Sequence, residues 1–420
     1  MNLGHDPALL KELLRSLQST RFDPVLFWVN RPDVARMAAH ARQIIVIGAG
    51  IGGLAAALAL QRRGFKVAVY ERAPEIREIG AGVVIAPNAR RALRDLGVDA
   101  ALEARSCSVS VLHTCDYRTG EIVRTNRNEQ IIERQGMGVL QVHRADLHAL
   151  LMEAVRANDP AALWPGHEFI GLDQDAAGVS VSFANGARRQ ADVVIGADGN
   201  TSAVRSLLFP GEAPRFNGQV AFRALIPDEL VPDVIRQRQL AMHPAPRRYL
   251  LHYPLRRGRI MNLIGCGQTA SWQEEGWAIP ATNEEFEEHY SDFAPELLAL
   301  IRSIPPGGLF KWGLRDREPL KAWTLGRVTM LGDAAHPMTP FLGQGACMAL
   351  EDALLLGRAF AAASTVDEAL SRYETARKTR GTNVQLWSRE EGMALQDPAR
   401  PRRTALDRGL YDYDPLAVPV

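Results

Sequence analysis

Cysteine is scarce in this sequence of 420 residues: Cys107, Cys115, Cys266 and Cys347 are the only four. They stand far apart and form no CxxC. That argues against a disulfide framework or a zinc site and predicts a reducing, cytoplasmic setting. An excess of one charge is missing too. With 49 basic and 48 acidic residues the net charge is +1, so a basic surface for nucleic acid is not expected. No run approaches the roughly 18 consecutive apolar residues of a membrane span. Repeats and low-complexity tracts are absent, and the start lacks the basic stretch and apolar run of a signal peptide. What is present is ordinary for a soluble globular chain. Hydrophobic residues make up 46% and charged residues 23%, and the length suits two or three domains.

Residues 1–42 read as an extension, with leucines spaced for a short amphipathic helix over Pro7–Leu17. The texture changes at Gln43. Ile44–Ile47 is a short β-branched run, Gly53–Arg63 is helical in pattern, and Lys66–Tyr70 is a second strand ending in Glu71. Together they form a β-α-β unit. Val179–Phe183 and Ala191–Ile195 flank Asn185-Gly186, a hairpin signal. Strands are expected at Gln219–Ile226, Arg248–Tyr253 and Arg259–Cys266, in a separate sheet punctuated by proline and glycine. A strand returns at Arg327–Leu331, a long helix begins near Gly345, and the chain is helical again from Val366.

Gly48-Ala49-Gly50-Ile51-Gly52-Gly53 fits GxGxxG between the first strand and the helix. Gly48 allows the tight turn, Gly50 lets the backbone approach a pyrophosphate, and Gly53 lets the helix pack on the strand. The free N–H groups of the helix then face the phosphates. Glu71, 23 residues after Gly48, can accept hydrogen bonds from ribose hydroxyls. The pattern therefore predicts one dinucleotide site. Gly265-Cys266-Gly267-Gln268-Thr269-Ala270 also matches GxGxxA, but no apolar helical period follows, so it reads as a β-turn.

Two more buried strands end in acids. Val193–Gly199 closes with Asp198-Gly199. Val328–Pro337 carries Gly332-Asp333 and leads to Pro340, Gly343-Gln344-Gly345-Ala346 and a helix. Strand ends are where open α/β sheets bind ligands. The plain alternative for each acid is capping a helix.

At these residues the sequence resembles the single-component FAD-dependent aromatic hydroxylases, the para-hydroxybenzoate and salicylate hydroxylase group, from about Gln43 to about Arg380. His143-Arg144-Ala145-Asp146-Leu147 adds a fourth motif. The resemblance implies an α/β fold: a Rossmann-type FAD-binding domain interleaved with a mixed β-sheet substrate domain, plus C-terminal helices. The expected division is 1–42 extension, 43–215 first part of the FAD-binding domain, 216–324 substrate domain, 325–365 last part of the FAD-binding domain, and 366–420 helical segment and tail. It further implies that Gly48, Gly50, Ile51, Gly53, Glu71 and Arg72 hold the ADP half of FAD. Arg144 would reach the phosphate or ribityl region, Asp333 the ribityl hydroxyls, and Asp198 and Gly199 the cofactor and NAD(P)H use. The loop from Gly80 through Gly82, Val83 and Val84 would flank the isoalloxazine. Gly343, Gly345 and Ala346 would meet its pyrimidine side.

The chemistry implied is NAD(P)H- and O₂-dependent hydroxylation of a small aromatic acid through a C4a-hydroperoxyflavin, with NAD(P)H docking transiently. Catalytic candidates are Pro340, Arg223 and His336. Arg223 would pair a substrate carboxylate, the alternative being a solvated strand arginine. His336 is equally well a buried structural histidine. Trp272, Trp277 and Trp312 read as core or lid aromatics. The resemblance implies that some relatives acting on hydroxybenzoates or hydroxynicotinates use a histidine base where this chain places Gln219, and that hydroxynicotinate enzymes carry another where it has Val84, which leans toward salicylate-like chemistry. Rival readings are an epoxidase or reductase of a larger apolar ring, and a flavin redox sensor without turnover. No metal, nucleic-acid or membrane partner is expected, and a monomer or homodimer is.

Overall fold

A computed structural model describes residues 43–76, 81–211, 213–269, 272, 274, 276, 278–397 and 400–420. The Pro7–Leu17 helix, Gly80 and Trp277 lie outside the described residues. A central sheet of six strands runs in the order Thr324–Leu325, Val328–Met330, Val193–Gly196, Ile44–Ile47, Val67–Tyr70, Leu163–Trp164. Every neighbouring pair is parallel except the first. Its three middle strands are buried at every residue. That burial explains their unbroken apolar texture, because a parallel sheet is covered on both faces. The helix Ile51–Gln61 is apolar nearly all round, and it packs in the same core as the helix Gly345–Ala362. Among the described residues no helix is long and apolar enough to cross a membrane.

A second sheet has eight strands, in the order Ile279–Pro280, Leu309–Asp316, Arg215–Pro227, Ile260–Gln268, Arg248–Leu255, Ala241–Ala245, Val111–Cys115, Ile122–Arg127. Its last two strands come from the early part of the chain, so the two sheets are interleaved in sequence. Side chains alternate across a strand. Val220, Phe222, Ala224 and Ile226 therefore share one face, in a core with Phe286, Leu297, Leu300 and Ile301 from the helices Asn283–His289 and Pro295–Arg302. Ala221 and Arg223 take the other face.

Two sequence expectations need correction. The strand paired with Val179–Phe183 is Arg188–Ala191, while Val193–Gly196 lies in the central sheet. The turn still forms at Asn185-Gly186, where Gly186 has φ +82° and its N–H bonds the Phe183 carbonyl at 3.0 Å. One apolar run thus serves two sheets, which local alternation cannot reveal. The second glycine motif is no turn. Gly265, Cys266 and Gly267 lie inside the strand Ile260–Gln268. A Cβ on Gly265 would come within 2.5 Å of the Phe286 ring, so that glycine serves the seating of a helix on the sheet.

The C-terminal helix Val366–Gln396 starts at Thr365, whose side chain accepts the Glu368 N–H. It carries Arg377, wholly buried, whose guanidinium lies 2.7 Å from both Glu351 and Asp352 of the preceding helix. Arg380 adds a second cation to Glu351 at 2.7 Å. Burial alone would raise both carboxyls, but Arg380 and Arg377 hold Glu351, and His336 and Arg377 hold Asp352, below the ordinary range. This cluster locks the two long helices behind the central sheet.

Candidate active site

The fingerprint turn has the geometry its glycines imply. Gly48 has φ +105°, a left-handed value that favours glycine. A Cβ on Gly53 would lie 2.0 Å from the Gly48 carbonyl oxygen, so only glycine lets helix and strand meet. A Cβ on Gly50 would meet nothing within 4 Å, and that open side belongs to a cavity. Glu71, at the end of the second strand, is turned onto the fingerprint: its carboxylate accepts the Ala49 N–H at 2.9 Å and the Ala73 N–H at 3.0 Å. A carboxylate has about four acceptor sites, so capacity for ribose hydroxyls remains.

The cavity, of about 330 Å³, lies where the carboxyl ends of the central strands face the second sheet. Gly50, Ile51, Gly199 and Arg144 line it at the fingerprint end. Gly82, Val83 and Val84 line it from the short strand Gly82–Ile85, which pairs with Leu140–His143. Asp333, Pro340, Gly343, Gly345 and Ala346 close the far side. The Asp333 carboxylate opens to the cavity and has no hydrogen-bond partner among the described residues. Surrounding protein desolvates it and raises its pKa above the usual carboxylate value. An acceptor without a donor, a glycine open to the cavity and the N-terminal end of a buried helix fit a dinucleotide with polyhydroxylated chain. Gly50, Glu71, Arg144 and Asp333 would hold it.

The second sheet supplies the remaining wall, and its register explains which residues meet. Across four strands Trp312, Ala221, Cys266 and Tyr249 form one row; Phe310, Arg223, Ile264 and Leu251 form the next. Asn262 and Tyr253 follow. Most of these line the cavity, among them Arg223, Trp312, Tyr249, Tyr253 and Cys266. Burial pushes Tyr253 and Cys266 each up to about 12 and Tyr249 also upward. All three are therefore neutral hydrogen-bonding groups at physiological pH. Arg223 is the cation of this wall. It has no ion pair or hydrogen bond among the described residues, its Nε is buried without a partner, and burial lowers its pKa.

A family model described as the FAD binding domain matches residues 41–388. The chain belongs to the FAD-dependent aromatic hydroxylases. It is 34% identical over 380 residues to a 3-amino-4-hydroxybenzoate 2-monooxygenase of Streptomyces platensis, covering 90% of this chain and 94% of that one. To the 3-hydroxybenzoate 6-hydroxylase of Polaromonas naphthalenivorans strain CJ2 it is 36% identical over 352 residues, 83% of this chain and 87% of the other. A solved salicylate hydroxylase substrate complex superposes with a TM-score of 0.76 at 26% identity, covering 90% of this chain and 97% of that one.

Two residues the sequence nominated for this hydroxylase site have their side chains engaged elsewhere. Asp198 caps a helix: its carboxylate accepts the Ser202 hydroxyl at 2.5 Å and the Ala203 and Val204 N–H groups at 2.8 and 3.1 Å. Its neighbours Ala197 and Gly199, not its own side chain, reach the cavity. His336 is 1% exposed and outside the lining; its Nε2 lies 2.6 Å from Asp352, against the Trp323 ring. Arg72 is exposed and, like Glu71, lies outside the lining. Gln219 is buried against Asn217. Conversely Trp312, expected as core or lid, is a cavity wall. The signal that could have found Trp312, Tyr249 and Tyr253 is strand alternation, but it needed the register between strands.

Proposed function

We propose that this chain is an NAD(P)H- and FAD-dependent monooxygenase that hydroxylates a small, carboxylated aromatic ring of the salicylate or hydroxybenzoate kind. The observation that carries the substrate class is Arg223. A partly buried guanidinium with no anion beside it is costly, and a ring carboxylate supplies the missing partner through paired N–H···O bonds. Trp312, Tyr249 and Leu251 form a flat and apolar wall for the ring. Tyr253 and Cys266, held neutral, orient a ring hydroxyl without removing its proton. No histidine lines the cavity among the described residues, which favours a ring that is activated by its own substituents. Pro340 and the Gly343–Ala346 turn pack the opposite side, where a helix N-terminus favours negative charge.

When bound, FAD supplies electron transfer from NAD(P)H and activation of O₂; the protein aligns the ring and keeps water out. An epoxidase or reductase of a large apolar ring would have no use for an unpaired cation in its pocket. The test is NAD(P)H oxidation with salicylate, hydroxybenzoates and their amides, with hydroxylated product and H₂O₂ both measured. Carboxylated rings should stimulate oxidation and yield product in step with NAD(P)H. Stimulation by the amides alone, or H₂O₂ with no product from any acid, would refute the proposal.

A further inference from the structure

Trp312 lies directly across from Ala221 in the antiparallel register, and the small alanine leaves the space before the indole free. Arg223 stands two residues further on the same face, diagonal to Trp312, a spacing that long side chains bridge. The guanidinium carbon is 5.5 Å from the indole centroid, within cation–π range. Directly opposite Arg223 are Phe310 and Ile264; neither carries an anion, and among the described residues it is the Trp312 ring that lies within cation–π range. Arg144 is the other arginine of the cavity and repels it. The indole is thus the side chain placed to keep Arg223 at its station while its N–H groups stay free.

We infer that Trp312 is the specificity-determining and positioning residue of the substrate pocket. It holds the Arg223 guanidinium ready for a carboxylate and so raises the affinity for acids over neutral rings. Preorganisation of this kind strengthens binding by removing the ordering cost from the binding step. The inference rests on the reading of Arg223 as the carboxylate partner.

The test measures dissociation constants of benzoate and benzamide on the FAD-loaded protein, through the perturbation of flavin absorbance. It compares wild type, Trp312→Leu, Trp312→Phe, Arg223→Met and the Trp312→Leu/Arg223→Met double variant, each checked for full FAD content. Trp312→Leu should weaken benzoate about tenfold and benzamide much less, and Trp312→Phe, which keeps an aromatic face, should recover most of the loss. In the Arg223→Met background the extra penalty on benzoate should vanish, since the indole then has no cation to hold. Equal losses for both ligands, or losses that add in the double variant, would make Trp312 a plain wall and overturn the inference. Wild-type protein that binds benzoate no better than benzamide would instead remove the carboxylate reading beneath it.

Discussion

Arg223→Met should change stability and binding in opposite directions. In the ligand-free protein the Arg223 side chain is partly buried, its guanidinium has no ion pair among the described residues, its Nε is buried without a partner, and burial lowers its pKa. Replacing a buried ion by an apolar side chain of similar length is often neutral or stabilising by about 1–4 kcal/mol. Because the cavity admits water, the low end applies, about 1 kcal/mol, or roughly 2 °C in Tm for a chain of this size. Binding should suffer. Charge-assisted hydrogen bonds contribute about 1.5–3 kcal/mol, and a net loss of about 2–3 kcal/mol weakens a carboxylated ring about 30- to 150-fold. Thermal unfolding with and without benzoate measures the first effect, and titration with benzoate and salicylate the second. Arg223→Lys keeps the charge but not the planar fork and should fall between. A Tm several degrees lower with unchanged affinity would show that Arg223 supports the sheet and does not bind substrate.

Asp333→Ala should lose FAD affinity by about tenfold or more with little change in apoprotein stability, because its carboxylate makes no hydrogen bond among the described residues; equilibrium titration with FAD and unfolding of the apoprotein separate the two. Gly53→Ala should do the reverse and reduce folded yield, since its Cβ would strike the Gly48 carbonyl; recovery of normally folded protein would contradict the geometry. Arg377→Leu should cost about 3–5 kcal/mol, because Asp352 then loses its arginine and Glu351 keeps only Arg380; denaturant melts report it. The buried pair His243 and His252, with Nε2 atoms 3.4 Å apart, is held neutral, pKa values falling to about 3 and about 4. Their folded values lie below the ordinary 6.5, so this stability is present above pH 6.5 and is lost as pH falls. At pH 5.5 the loss should be about 3 kcal/mol for the pair, and a His243→Phe variant should show a shallower acid dependence between pH 6.5 and 4.

The residues most legible in the sequence are those whose surroundings are local. The GxGxxG turn, its strand and its helix lie within twenty residues of one another, and the steric need for glycine acts over a few bonds. Asp198 and Asp333 show where this stops. Both end buried strands, but Ser202 and two amides close behind Asp198 take up its carboxylate. Asp333 has no such donor close behind it and stays open to the cavity. The capping serine was visible in the sequence, but not whether the aspartate would turn back to the helix or outward. His336 is the same case at longer range, because Asp352 reaches it from a helix sixteen residues on.

By itself, then, the sequence determined the class of fold, the dinucleotide turn, the order of the motifs and the family they mark, since each depends on spacing within a short stretch. Tertiary structure alone decided the substrate wall. Ala221, Tyr249, Cys266 and Trp312 come from four strands spread over some ninety residues, and pairing registers bring them into one row. A shift of one residue in any of these strands would send its side chains to the opposite face. Whether Arg223 meets water or an enclosed cavity is fixed by that register and by the central sheet facing it, and strand periodicity within a single segment carries no information about either.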